Sequence, residues 1–153
     1  MRANTRTSRL DGSILHLLHR AGQQAEGVFI VECPPDALTP RQYAVLLAVD
    51  NNPEISQTGL VEETGIDRST LADVVARLVK KGLISRERTR TDARTNALRL
   101  TPEGRAALET VHPAALKTDD RILTALKPEQ RAELIQALQQ IVQSLKTSVP
   151  AQN

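Results

Sequence analysis

Four consecutive residues, Asp67-Arg68-Ser69-Thr70, open a stretch of helical spacing with a capping acid, a cation and two hydroxyls. Ser and Thr hydroxyls exchange hydrogen bonds with base edges, and arginine takes guanine or a phosphate. Further cations follow at Arg77, Lys80, Arg86, Arg88, Arg90, Arg94 and Arg99. From Arg68 to Arg105 there are ten basic and four acidic residues, a surplus of six. The rest of the chain has ten and fourteen, a deficit of four, which leaves a net charge of +2. A basic block on a near-neutral chain is the footprint of a polyanionic partner. A solvated Lys/Arg face produces the same composition, so the block alone does not decide between the two.

The elements that must position these residues are legible from periodicity. Met1 to Ser8 is polar and reads as a loose arm. From Leu10 to Phe29 the apolar residues repeat at about 3.6, which predicts a long first helix ended by Pro34-Pro35. Thr39-Pro40-Arg41-Gln42 carries a cap, a proline at the first helical position and the glutamine of a capping box, and so starts a second helix that stops near Asn51-Asn52-Pro53. Ile55 stands alone in an extended link. Ser56 caps a short helix closed by Gly65, and Asp67 caps the next, with Leu71, Val74, Val75 and Leu78 on its apolar face and Gly82 at its end. Two strands, 83–88 and 97–101, then flank a charged tip, as in a β-hairpin with a long loop. Thr101-Pro102-Glu103 starts a helix that Pro113 is expected to kink or reset, and Lys127-Pro128-Glu129 starts the last.

A short helix, a glycine turn, a second helix and a basic hairpin, in that order, match a helix-turn-helix, whose second helix enters the major groove with its N-terminal residues on base edges. An arginine at the hairpin tip suits a narrow minor groove, and Asp92 is placed to hold that loop or to orient Arg94.

Residues 77–86, Arg-Leu-Val-Lys-Lys-Gly-Leu-Ile-Ser-Arg, resemble the recognition-helix end and first wing strand of the MarR (multiple antibiotic resistance regulator) family. Asp92-Ala93-Arg94, then Leu98 to Gly104, resemble its wing signature, and Leu38 to Tyr43 its second-helix start. The resemblance implies a mainly α fold with a small β-hairpin wing. It places a helical dimerisation region at 1–36 and 102–153 and a winged helix-turn-helix lobe at 37–101. The function it implies is that of a homodimeric transcription regulator, usually a repressor, on a pseudo-palindromic double-stranded operator, released by a small organic ligand or by thiol oxidation. By position it makes Ser69 and Thr70 base-contact candidates, Arg68, Lys80 and Arg86 phosphate or structural contacts, and Arg94 the minor-groove arginine. Arg77, Arg88 and Arg90 complete the basic face. Asp73 departs from the basic or small polar residue common in the family. It is read either as the partner of Arg77 four residues on or as an acceptor for a cytosine amino group.

For an effector, the resemblance points to a crevice between the helical region and the DNA lobe, with His16, His19, Arg20, Gln23, Tyr43 and His112 as candidates. Arg20 or a histidine would anchor a carboxylate, and Tyr43 would meet an organic ring. His16 and His19 share a helix face and with His112 could approach a metal, but zinc favours four ligands and no thiolate is near, so neither metal nor cofactor is expected. The single cysteine, Cys33, excludes an internal disulfide; as a redox switch it would need a depressed pKa, against which Glu32 works. There is no glycine-rich phosphate loop, nucleophile elbow or paired metal motif, so an enzyme is not expected. No apolar run approaches the ~18 residues of a membrane span, and the N-terminus lacks a signal core, which predicts a cytoplasmic protein. A winged-helix module for protein contacts is the alternative, distinguished by a flat salt dependence.

Overall fold

The structure is a computed structural model that describes residues 9–88 and 96–146. Among them are six helices and one antiparallel hairpin: α1 (Ile14–Glu32), α2 (Pro40–Asn51), α3 (Gln57–Thr64), α4 (Arg68–Lys80), β1 (Ile84–Arg88), β2 (Asn96–Leu100), α5 (Pro102–Thr124) and α6 (Pro128–Lys146). The predicted tip residues Arg90, Asp92 and Arg94 lie outside the described residues.

Local chemistry accounts for most boundaries. The capping box at α2 is complete: the Gln42 amide donates to Thr39 Oγ1 at 3.2 Å, and the Thr39 amide donates to Gln42 Oε1 at 3.1 Å. Ser56 caps α3 by accepting from the Gly59 amide at 3.0 Å. Gly65 ends α3 with φ 68°, the left-handed conformation that glycine adopts without a Cβ penalty.

Two expectations change. The first helix begins at Ile14 rather than Leu10, because Ser13 takes the cap and accepts from the His16 amide. Leu10 lies in the preceding turn. The helix after the hairpin runs unbroken through Pro113. Proline there forfeits one ladder bond to the Glu109 carbonyl; Glu109 and Pro113 are exposed, while Val111 and Ala114 are buried.

The core sits inside the helix-turn-helix lobe. Val45 and Leu46 of α2, Leu60 of α3, Leu71, Val75 and Leu78 of α4, Ile84 of β1 and Leu98 of β2 are all buried. Pairing runs from Ile84 opposite Leu100 to Arg88 opposite Asn96. The isolated Ile55 adds a bridge to Leu98, donated by the Leu98 amide at 2.9 Å, which pins the link before α3 to the hairpin. Phe29 of α1 and Leu108 and Val111 of α5 close the top of this core.

The terminal helices differ. On α1 only Phe29 is buried, and α6 buries no residue. Ile14, Leu15, Leu17 and Leu18 of α1, and Ile135, Leu138, Ile141, Val142 and Leu145 of α6, are exposed. No helix among the described residues is long and apolar enough to cross a membrane.

Candidate nucleic-acid interface

The Asp67 carboxylate organises the start of α4. Its Oδ1 accepts from the Thr70 amide at 2.9 Å and from the Ser69 hydroxyl at 2.9 Å. The hydrogen bonds from Thr70, then from Ser69, hold the carboxyl down to about 2, so it stays ionised at any physiological pH. The cap therefore fixes the backbone of the first turn and the Ser69 rotor together.

The buried stripe of α4 is Leu71, Val75 and Leu78. At about 100° per residue, Ser69, Asp73 and Lys80 fall directly opposite it, with Ala76 beside them. All four are exposed. Thr70 is half-buried and turns toward α1, where it lines a groove of about 460 Å³ with Val74, Asp73 and Arg77 of α4, Glu26 and Ile30 of α1, and Thr39 to Gln42 of α2. The two predicted base-contact hydroxyls thus occupy different sides of the helix. The expected Asp73–Arg77 pair does not form: among the described residues no ion pair involves Asp73, and both side chains instead border the groove. Their spacing permits contact, but the groove between α1 and α4 gives each of them open solvent to point into.

Behind α4, Arg86 and Arg88 are exposed on β1. Arg86 donates to Gln57 Oε1 at 3.4 Å, a long bond that spans from the hairpin to the first turn of α3. Arg99 has a different role. It is ion-paired with Glu54 and with Glu87, the latter at 3.0 Å, and Arg105 is paired with Asp50 at 2.7 Å. Two cations of the basic block are therefore neutralised within the fold. Glu54 and Asp50 lie outside the block in sequence, so counting charges along the chain could not reveal this.

The hairpin is fixed to α5 by a tight joint. The Thr101 amide donates to the Leu83 carbonyl at 3.1 Å, and the Thr101 hydroxyl donates to the Gly82 carbonyl at 2.6 Å while accepting from the Gly104 amide at 2.9 Å. Gly104 is buried against Leu83.

Of the six effector candidates, the structure joins two. Tyr43 Oη and His112 Nδ1 are 2.8 Å apart, the rings stack at 6.4 Å, and Phe29 lies 5.7 Å from Tyr43. Burial, and secondarily the Asp119 charge, push the Tyr43 hydroxyl pKa up, so it stays protonated. His19, Arg20 and Gln23 are exposed on α1 and His16 is half-exposed; among the described residues no hydrogen bond or ion pair links any of them to the Tyr43–His112 pair. No three His, Cys, Asp or Glu side chains converge among the described residues. Cys33 is half-buried at the end of α1, and burial pushes its thiol pKa up, which lowers the thiolate fraction a redox sensor needs.

A capped helix presented outward after a glycine turn, backed by a basic antiparallel hairpin, defines a winged helix-turn-helix protein. The MarR family profile matches residues 38–95, and the chain is 31% identical over 133 residues to the transcriptional regulator HosA of Escherichia coli O157:H7, spanning 87% of this chain and 97% of that one. The chain belongs to the MarR family and is a DNA-binding transcriptional regulator of that type. Among solved structures it is similar to the transcriptional repressor CouR bound to a 23-mer DNA duplex, with 31% identity, 90% of this chain and 97% of that one covered, and a TM-score of 0.80. It is equally similar to Bordetella bronchiseptica BpsR, whose structure is described in terms of regulation of DNA binding by 6-hydroxynicotinic acid, with 30% identity, 85% and 93% coverage, and a TM-score of 0.80. These relatives are regulators rather than enzymes.

Proposed function

We propose that this protein is a homodimeric, sequence-specific repressor that binds a pseudo-palindromic operator and is released from it by a small organic acid or its thioester. The observation that carries the DNA reading is the outward face of α4, where Ser69, Asp73 and Lys80 stand opposite the buried stripe under an intact Asp67 cap. Arg77 borders that face, and with it Arg68 at the start of α4 and Arg86 and Arg88 on β1 are the phosphate contacts. Arg94, with Arg90 and Asp92 outside the described residues, is the minor-groove candidate on its sequence alone. Thr70 serves from the groove side.

The dimer reading rests on the exposed apolar faces of α1 and α6. A helix with no fully buried residue in its own chain gains stability by covering its apolar face, because helices depend on tertiary packing more than on propensity. A second copy supplies a matching face, and an isologous pair mirrors a palindromic site. Residues 1–36 and 102–153 then form the dimerisation region, and 37–101 the reading lobe.

For the effector, BpsR and 6-hydroxynicotinic acid set the precedent for an aromatic acid. The Tyr43–His112 pair offers such a ligand an aromatic surface to meet and a hydrogen-bonded hydroxyl–imidazole couple for its polar group. His16, His19, Arg20 and Gln23 join it only where a partner subunit or the ligand itself brings them near.

Selection of bound fragments from genomic DNA, followed by anisotropy titration across salt, tests this reading. The expected result is a palindromic consensus and an affinity that falls with a log–log slope near −0.9 per phosphate neutralised. Aromatic acids are expected to reverse binding. No enriched fragment, or a flat salt dependence, would overturn it in favour of a protein-contact module.

A further inference from the structure

We propose that Ser69 and Asp73 form an acceptor-only pair that selects bases carrying an exocyclic amino group, cytosine above all; this rests on the DNA reading above. A free serine hydroxyl donates or accepts and so discriminates little. Here the Ser69 proton is committed to Asp67, which leaves the oxygen lone pairs as the only hydrogen-bonding capacity directed outward. Asp67 keeps that role because the Thr70 amide holds the same oxygen in place. Asp73 lies one turn on, on the same outward face, exposed and outside any ion pair among the described residues. An ionised carboxylate only accepts.

Two acceptors about 6 Å apart along a helix axis span between one and two base steps of about 3.4 Å. In the major groove guanine presents N7 and O6 and thymine O4, all acceptors, which repel this pair. Cytosine presents N4–H₂ alone. Adenine presents N6–H₂ beside the acceptor N7, and is second best. The negative charge also weakens attraction to nearby phosphates whatever the base sequence, so Asp73 exchanges non-specific affinity for discrimination. That accounts for an acid at the centre of an otherwise basic surface.

The test is selection of bound duplexes from a randomised pool by the full chain and by Asp73→Asn, Asp73→Ala and Asp67→Ala, with circular dichroism confirming helix content. Wild type is expected to favour cytosine at one position of each half-site by roughly tenfold or more over guanine. Asp73→Asn, which gains a donor, is expected to move that position to adenine, and Asp73→Ala to flatten it while tightening binding to random DNA. Asp67→Ala is expected to broaden a neighbouring position by freeing the Ser69 hydroxyl. An unchanged consensus with Asp73→Asn would overturn the acceptor pair and leave the DNA reading intact. Failure of the wild type to enrich any duplex would overturn the DNA reading itself.

Discussion

Replacing Gly104 by alanine sets two effects of opposite sign against each other. Alanine within a helix is favoured over glycine by about 1 kcal/mol. A Cβ at this position, however, would stand 2.9 Å from the Leu83 carbonyl carbon and 3.2 Å from its Cα, with the carbonyl oxygen nearer still. These are backbone atoms and cannot rotate aside. Thr101 grips the same segment at the Leu83 and Gly82 carbonyls, so the strand end and the helix start cannot separate without breaking both bonds. Overpacking of this kind costs about 1–3 kcal/mol, and the upper end applies where nothing can give. The net is a destabilisation of about 2 kcal/mol, or a Tm lower by roughly 4–8 °C for a chain of this length. Thermal and urea unfolding at one fixed protein concentration measure it. Gly22→Ala on α1 is the comparator: its Cβ would meet nothing within 4 Å, so only the helix preference remains and the effect is neutral to about 1 kcal/mol stabilising. A Gly104→Ala protein as stable as the wild type would refute the close packing of α5 on the base of the hairpin.

Lys80→Ala is expected to weaken all duplexes alike and to reduce the salt slope by about 0.9 for each phosphate it ceases to neutralise, whereas Arg99→Ala leaves the slope unchanged because Glu54 and Glu87 already neutralise that cation; salt titrations by anisotropy compare them. Stability is expected to carry an acid-dependent component from Asp67: with its folded pKa about 2, below the ordinary 3.8, the contribution is complete above that ordinary value and disappears as the pH falls through about 2. Asp67→Ala should flatten that part of the Tm-against-pH curve, and an unchanged curve would show that the cap bonds do not persist in solution. Paired substitutions Leu138→Glu and Ile141→Glu on α6 are expected to halve the mass seen by sedimentation; a dimer that survives them places the interface elsewhere.

Much of the fold is legible in the sequence because it is set locally. Thr39, Ser56 and Asp67 each cap the helix that their sequence context predicts, and the alternation around Leu98 marks the second strand. Ser13 escapes notice because a cap within a continuing apolar period is hard to separate from the period itself. At Pro113 the sequence leaves a kink and a restart open; the helix does not restart, and Val111 and Ala114 are buried on either side of the proline. The site divides in the same way. The outward face of α4 follows from its period, so Ser69, Asp73 and Lys80 can be placed from sequence, while Thr70 faces α1 instead. The neutralisation of Arg99 and Arg105, the Gln57–Arg86 hydrogen bond and the groove beside α4 join residues far apart in the chain, and nothing in the sequence signals them.

The bare surface of α6 has a consequence for dosage. If its apolar face is covered only by another copy, the folded, operator-spanning form is a second-order product of the protein's own abundance. Halving the copy number then removes more than half of the reading species, so occupancy responds to synthesis more steeply than a monomer's would. Dilution in a growing cell would act as an input alongside any ligand.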